Sequence, residues 1–211
     1  MPGVLPYLFV LLKGALVTIE ISLLALGISV IIGIAVGLLA SALPGVGFAV
    51  TRLYVELIRS IPLLVLIFFA YYAIPVVVQV NISPYAATTG ALSIYGGAYM
   101  AEVVRSGILS VDRTQWEAAL ALGLRYWRIM VLIVFPQAIR IAVPAGIGVF
   151  IDLIKGSSVA SIIGFVELMQ TAINVRNTIF ELSPIVLAAF LYFCICFSLS
   201  RLGAFLERRS A

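Results

Sequence analysis

The chain has 211 residues, 64% of them hydrophobic and only 10% charged, with a formal net charge of +4. Soluble domains carry about 25% charged residues, so this composition excludes a water-solvated globule and points to a chain solvated by lipid. The small, scattered positive charge excludes a nucleic-acid surface. With no histidine and both cysteines, Cys194 and Cys196, inside one apolar run, no metal-ligand spacing exists and structural thiols are expected.

Met1-Pro2-Gly3 lacks the basic start of a cleaved leader, and Lys13 interrupts the first apolar run. A span needs about 20 apolar residues. Gly14 to Ala42 exceeds that, so the first span is predicted to tilt or to reach past the hydrocarbon, with Glu20 at the interface. Gly33 and Gly37 form a small-xxx-small pair, suited either to close helix packing or to a lipid-facing stretch. Pro44-Gly45 makes a turn, and a second span runs from near Thr51 to near Pro75. Arg52, Glu56 and Arg59 share one helical face at ion-pair spacing. Pro62 removes a hydrogen bond and crowds the preceding turn, which predicts a kink or break. Val76 to Thr89 reads as an outer loop. The third span, about Gly90 to Val111, carries Glu102 and Arg105 on one face near its end, where a structural salt bridge is expected in preference to a substrate contact.

The stretch from Gln115 breaks this pattern. Glu117, Arg125 and Arg128 sit among small residues and the tryptophans Trp116 and Trp127. Thr114 with Glu117 three residues later reads as a capping box, so a short helix is predicted to start at Gln115. Gly123 would end it in a left-handed conformation. A second short helix is predicted from about Arg125 toward Phe135, with Pro136 in the first turn of the next helix. The two make a compact knob whose alanines would let another backbone approach closely.

The fourth span starts near Pro136 and is predicted to be interrupted by Pro144, Gly146 and Gly148. Asp152 and Lys155 follow in apolar surroundings. An ionised side chain at the bilayer centre costs about 2.5–3.5 kcal/mol on insertion scales, so these two face a substrate, pair with each other or lie at the outer interface. Val159 to Ser183 is polar enough for a short amphipathic helix and a solvated outer loop, and the last span is about Pro184 to Leu202. Lys and Arg cluster on the side of the knob and the C-terminus, with Lys13 and Arg176 opposite. The positive-inside rule therefore predicts a cytoplasmic knob and C-terminus and an outer N-terminus.

The residues Glu117-Ala118-Ala119, Gly123, Ile133 and Pro136 resemble the EAA loop of ABC-transporter permease subunits. The likeness continues through Ala138, Arg140, Pro144, Phe150, Ile151, Lys155, Ser158, Ile163 and Gly164, which is similar to the branch that takes up polar amino acids. Arg59-Ser60-Ile61-Pro62 is similar to that family's Arg-Gly-Thr-Pro, without the glycine and threonine. Gly97-Ala98-Tyr99 with Glu102 and Arg105 resembles its Gly-Ala-Tyr-x-x-Glu-x-x-Arg. Gly148 stands where members commonly have asparagine, and Gly156-Ser157-Ser158 where they have Asp-Thr-Ser.

The resemblance implies an all-α integral membrane protein of the type I ABC importer permease class. It would be one transmembrane domain over 1–211, with about five spans and a two-helix cytoplasmic coupling loop at about 113–135. It implies ATPase-coupling residues Gln115, Trp116, Glu117, Ala118, Ala119, Leu122, Gly123 and Arg125. For the path and substrate the candidates are Pro62, Pro144, Gly148, Asp152, Lys155 and Ser158. The implied function is to form the path for a polar amino acid in the bacterial inner membrane, working with a second permease subunit, two ATP-binding subunits and an extracytoplasmic substrate-binding protein. The sequence has no Gly-x-x-x-x-Gly-Lys-Ser/Thr loop and no nucleophile–base set, so the chain is not expected to be an enzyme or to hold a cofactor. ATP and Mg would be bound by the partners. An importer of an opine or a sulfur-containing amino acid, or a transporter driven by an ion gradient, are the alternative readings.

Overall fold

The computed structural model describes residues 5–42 and 45–210. The expectations for Met1-Pro2-Gly3 and Pro44 lie outside them. The described residues form helices and turns, with no strand among them.

Helix α1 (Leu8–Ala42) has 35 residues, about 52 Å at 1.5 Å per residue. It starts earlier than the apolar run suggested. Lys13 lies within it, exposed, with its ammonium 4.6 Å from the centre of the Phe9 ring. A long aliphatic stem lets a lysine lie along an apolar helix while its charge stays at the edge. Helix α2 (Val46–Ser60) ends before Pro62, and the chain turns by 99° into a second helical segment, Leu63–Val78. The predicted break at Pro62 is therefore present. That segment comprises α3 (Leu63–Phe68), a π-turn at Phe69–Ala73 and α4 (Ile74–Val78), and it outlasts Pro75 instead of ending there. A proline ring crowds the carbonyl four residues back and offers it no donor. The wider π-turn two residues before Pro75 relieves that conflict.

Helix α5 (Pro84–Leu109) begins earlier than Gly90, so the supposed outer loop shrinks to residues 79–83. Ser83 accepts a hydrogen bond from the Ala86 amide at 3.2 Å, and Pro84 takes the first helical position, where its missing donor costs nothing. After α6 (Arg113–Ala121) and α7 (Tyr126–Ile129), a second π-turn at Met130–Val134 precedes Pro136 and leads into α8 (Phe135–Ser157). The predicted interruption at Pro144 is absent: α8 runs through it. Only the bond to the Arg140 carbonyl is lost, and one such loss is tolerated in membrane helices where neighbours compensate. A 3₁₀ turn, Ser158–Ile163, leads to α9 (Leu168–Ile179) and then α10 (Ser183–Ser210).

Three helical segments are long and apolar enough to cross a membrane: Leu8–Ala40, Tyr126–Ile163 and Ser183–Arg208. The bent pair across Pro62 makes a fourth when taken as one span. The 26-residue α5 is long enough but not as apolar. The reason is its position, for α5 is packed between α1, α2 and α8 and buries small and hydroxylated residues such as Thr88, Ser93, Gly96 and Gly97. Gly33 and Gly37 of α1 face it. A Cβ at Gly33 would lie 2.5 Å from Met100 Cβ, and one at Gly37 2.8 Å from Val104 Cγ1. The glycine pair thus serves helix packing, not lipid contact.

The stretch after α8 is not a solvated loop. Glu167, Leu168, Thr171, Ala172 and Val175 are buried, against α1 and α10. Cys194 and Cys196 are half-buried, free thiols.

Candidate functional site

Two features stand out, a knob between α5 and α8 and a band of polar groups on α2, α5 and α8. The knob is built from its caps. Asp112, not Thr114, starts α6: its carboxylate accepts from the Thr114 amide at 2.8 Å and the Thr114 hydroxyl at 2.9 Å. The capping box is thereby corrected. Glu117 instead accepts from Arg113 at 3.0 Å on the open surface, a pair worth little to stability. Aspartate two residues ahead of a threonine has the shorter reach to the free amides and takes the cap. The far end behaves as expected. Gly123 has φ +75°, its amide donates to the Leu120 carbonyl at 2.9 Å, and the Leu124 amide donates to the Ala119 carbonyl at 3.1 Å. That is the Schellman pattern, which favours glycine at the left-handed position.

The underside of the knob is apolar. Ala119, Ile129, Met130 and Val134 are buried with Ile108 and Val111 at the end of α5 and Ala138 of α8, while Trp116 and Leu124 close the edge. Trp116 also leans on the Tyr126 ring, centroids 5.9 Å apart. Of the coupling residues proposed from sequence, Ala119 and Trp116 therefore support the knob from within. Gln115, Glu117, Ala118, Leu122, Gly123 and Arg125 lie on its exposed face. Leu122 is 80% exposed, and Leu120 (59%) and Trp127 (62%) join it. The last two were missed as surface groups. Helical phase does not single out Leu120, which stands four residues after the inward Trp116 and shares its face by spacing.

The polar band begins on α2. Arg52 donates to Glu56 at 2.6 Å. Across a cavity of about 320 Å³ between α1, α2 and α5, Arg105 grips Glu102 through two bonds, 2.9 and 3.2 Å. The expected structural salt bridge is present. Arg59 lines the same cavity but belongs to none of the ion pairs among the described residues. Its guanidinium lies over the ring of Tyr99, 5.0 Å from the centroid. The Tyr99 hydroxyl accepts from that of Tyr95 at 3.3 Å.

Asp152 and Lys155 are exposed on α8 and form no ion pair with each other. Asp152 and Arg59 both lie within electrostatic reach of the Tyr95 hydroxyl. Pro62 belongs to this neighbourhood, for Leu63, next in the chain, packs where a side chain on Gly156 would go, 2.6 Å from a Cβ built there. A side chain at position 156 would require the Leu63 side chain to shift. Ser158 spends its hydroxyl on the Lys155 carbonyl at 2.6 Å. Pro144 and Gly148 are elsewhere: they line a groove of about 660 Å³ between α8 and α10, with Arg140, Ser200, Gly203 and Glu207. The structure thus gathers Pro62, Asp152 and Lys155 near one end of α8 and separates Pro144 and Gly148 from them. It adds Arg59, Tyr95 and Tyr99, which sequence reasoning did not place in the site. No cluster of three or more metal-ligating side chains exists among the described residues.

Residues 29–211 match the family model of the binding-protein-dependent transport system inner membrane component. The chain is 35% identical over 201 residues to a probable amino-acid ABC transporter permease of Bacillus subtilis, covering 95% of this chain and 88% of that one. It is 36% identical over 207 residues to a probable glutamine ABC transporter permease of the same bacterium, covering 96% and 94%. A glutamate/aspartate import permease of Escherichia coli O6:H1 is 34% identical over 219 residues, covering 99% and 97%. Among solved structures, an amino acid ABC transporter with histidines has a TM-score of 0.90 at 32% identity, covering 97% of this chain and 95% of that one. The methionine ABC transporter MetNI, inward facing, has a TM-score of 0.85 at 20% identity, covering 98% and 99%.

Proposed function

The chain belongs to the family of binding-protein-dependent transport system inner membrane components and is the membrane-spanning permease subunit of an ABC importer; on that premise we propose that its cargo is a polar amino acid. The observation that carries this reading is the likeness, at 32% identity over nearly the whole chain, to an amino acid ABC transporter. Opposite charges that form no ion pair among the described residues, Arg59 of α2 and Asp152 of α8, suit a cargo that carries both an ammonium and a carboxylate.

The knob couples this path to an ATPase. Its exposed residues Gln115, Glu117, Ala118, Leu122, Gly123 and Arg125, with Leu120 and Trp127, form the docking face, and Ala119 and Trp116 hold that face in place. ATP and Mg are bound by two partner subunits, and this chain contributes no hydrolytic chemistry. A second permease subunit completes the path, because one chain carries a single knob. A soluble binding protein delivers the amino acid on the side opposite the knob. The Lys and Arg distribution supports a cytoplasmic knob and C-terminus.

The test is reconstitution into vesicles with the ATPase and binding-protein partners. Uptake of labelled glutamine, glutamate, arginine, cystine and an opine is measured with and without ATP on the knob side. Accumulation of at least one polar amino acid, strictly dependent on ATP, is expected. Uptake of the opine alone or of cystine alone, or uptake driven by a proton or sodium gradient without ATP, would refute the proposal.

A further inference from the structure

We propose that the cavity beneath the flank of the knob, with Arg105 and Arg113 in its wall, holds the phosphate of an anionic phospholipid whose acyl chains lie along Leu109 and Phe48. Such a site follows from the membrane placement of the chain and does not depend on its cargo.

Position comes first. The cavity measures about 590 Å³. Ala40 in its wall is the last residue of the apolar segment Leu8–Ala40, and Tyr126 is the first of Tyr126–Ile163. Phe48 lies in the first turn of α2, and Leu109 ends α5. Four helical segments thus begin or end around one cavity, at the edge of the apolar zone on the knob side. Trp and Tyr rings settle at headgroup level at such an edge. Trp116 and Tyr126 both line this cavity, ring centres 5.9 Å apart. Leu109 and Phe48 are exposed, which gives acyl chains an apolar shelf.

Charge then selects the headgroup. The charged side chains in the wall are both arginines, and the carboxylates that pair with them lie outside it. Glu102 accepts from Nε and Nη2 of Arg105 at 3.2 and 2.9 Å, so Nη1 has no partner among the described residues. Glu117 accepts only from Nε of Arg113, at 3.0 Å on the open surface, a pair worth little and easily exchanged. Two guanidiniums in one cavity repel each other, and a phosphate relieves that while accepting from their planar forks. A zwitterionic headgroup adds a cation, which the arginines disfavour. Basic pockets between membrane helices are suited to anionic headgroups for this reason. A protein partner fits less well, because the knob offers it a separate exposed face and the shelf is already bathed by lipid. A lipid seated here would brace the knob against the ends of α1 and α2, so lipid composition would bear on coupling.

The experiment is native mass spectrometry of the permease assembled with its ATPase partners, delipidated in detergent and titrated with dioleoyl phosphatidylglycerol or dioleoyl phosphatidylcholine. The unmodified assembly should bind phosphatidylglycerol about tenfold or more tightly than phosphatidylcholine. Arg113→Gln should weaken phosphatidylglycerol by about threefold to tenfold and leave phosphatidylcholine unchanged. Arg105→Gln should act in the same direction. It also breaks the pair with Glu102, so the exposed Arg113 carries the test if that variant fails to assemble. Phe48→Glu, which puts a carboxylate into the cavity, should expel phosphatidylglycerol although both arginines remain. Arg201→Gln removes an exposed arginine of α10 outside the cavity and should change nothing. Equal loss in Arg201→Gln would mean that the lipid follows only the general positive charge, and the assignment would fall. Unchanged phosphatidylglycerol binding in both Arg113→Gln and Phe48→Glu would overturn it as well. Binding seen only after the ATPase subunits are stripped away would give the cavity to that partner instead.

Discussion

At the scale of single residues, the knob depends on a cap that titrates. The Thr114 amide and hydroxyl both donate to the exposed Asp112 carboxylate and hold its pKa below the ordinary value of 3.8. A carboxyl depressed in the folded state lends stability above its ordinary pKa and loses it as the pH falls through the lowered value. Acidification from pH 6 to pH 3 should therefore loosen the first turn of α6. Hydrogen-exchange protection of the 113–121 segment, corrected for intrinsic exchange, should fall over that range. Asp112→Asn keeps a neutral cap and should flatten the response, whereas Asp112→Ala should lower protection at every pH. A pH response unchanged in the asparagine variant would mean that another group drives it. The Thr114–Glu117 spacing misled because it is the pattern of a cap. Sequence spacing does not say which of two neighbouring polar residues has the backbone geometry to use it.

At the scale of elements, α1 and α5 meet through glycines, and a matched pair of variants isolates that contact. A Cβ at Gly33 would sit 2.5 Å from Met100 Cβ and 2.8 Å from its backbone carbonyl carbon, while one at Gly27 meets nothing within 4 Å. Gly33→Ala should force the helices apart and cost about 1–3 kcal/mol. Gly27→Ala should be neutral or stabilising by up to about 1 kcal/mol through helix propensity. Thermal unfolding in detergent compares them directly, and equal effects would show that Gly33 is not the point of close contact between α1 and α5. Much at this scale was legible. The Pro62 break follows from proline chemistry and the left-handed Gly123 from its place after an alanine-rich run, while the spacing of Gly33 and Gly37 allowed packing or lipid contact alike. Other features were hidden because the decisive partner is remote. Pro144 leaves α8 unbroken because its neighbours support it, and the π-turns ahead of Pro75 and Pro136 have no residue signature of their own. In the site, Arg59 reads as one member of an ion-pair face until the structure shows Glu56 already held by Arg52.

At the scale of the whole molecule, the helices are tied together at the end away from the knob by one buried carboxylate. Glu167 has no exposed surface. It caps α9 by accepting from the Met169 and Gln170 amides at 2.9 and 2.8 Å. It also accepts from the Tyr192 hydroxyl of α10 at 2.6 Å and the Thr18 hydroxyl of α1 at 3.3 Å, and Thr18 in turn accepts from the Leu168 amide. Three segments distant in sequence thus share one set of hydrogen bonds, and removing the acceptor strands several buried donors. Glu167→Ala should cost roughly 2–4 kcal/mol, and Tyr192→Phe about 1–3 kcal/mol. Because both remove the same bond, the double variant should fall well short of the sum. Thr18 lies about 30 Å along α1 from Leu38, which touches the knob's apolar base, so binding of the ATPase partner to the folded protein should be unaffected. Unfolding midpoints and a pull-down on the partner subunit separate the two effects. Additive losses would show that Tyr192 and Glu167 act independently. A parallel loss of partner binding would show that the knot and the knob are coupled through the length of α1, which a local tie does not predict.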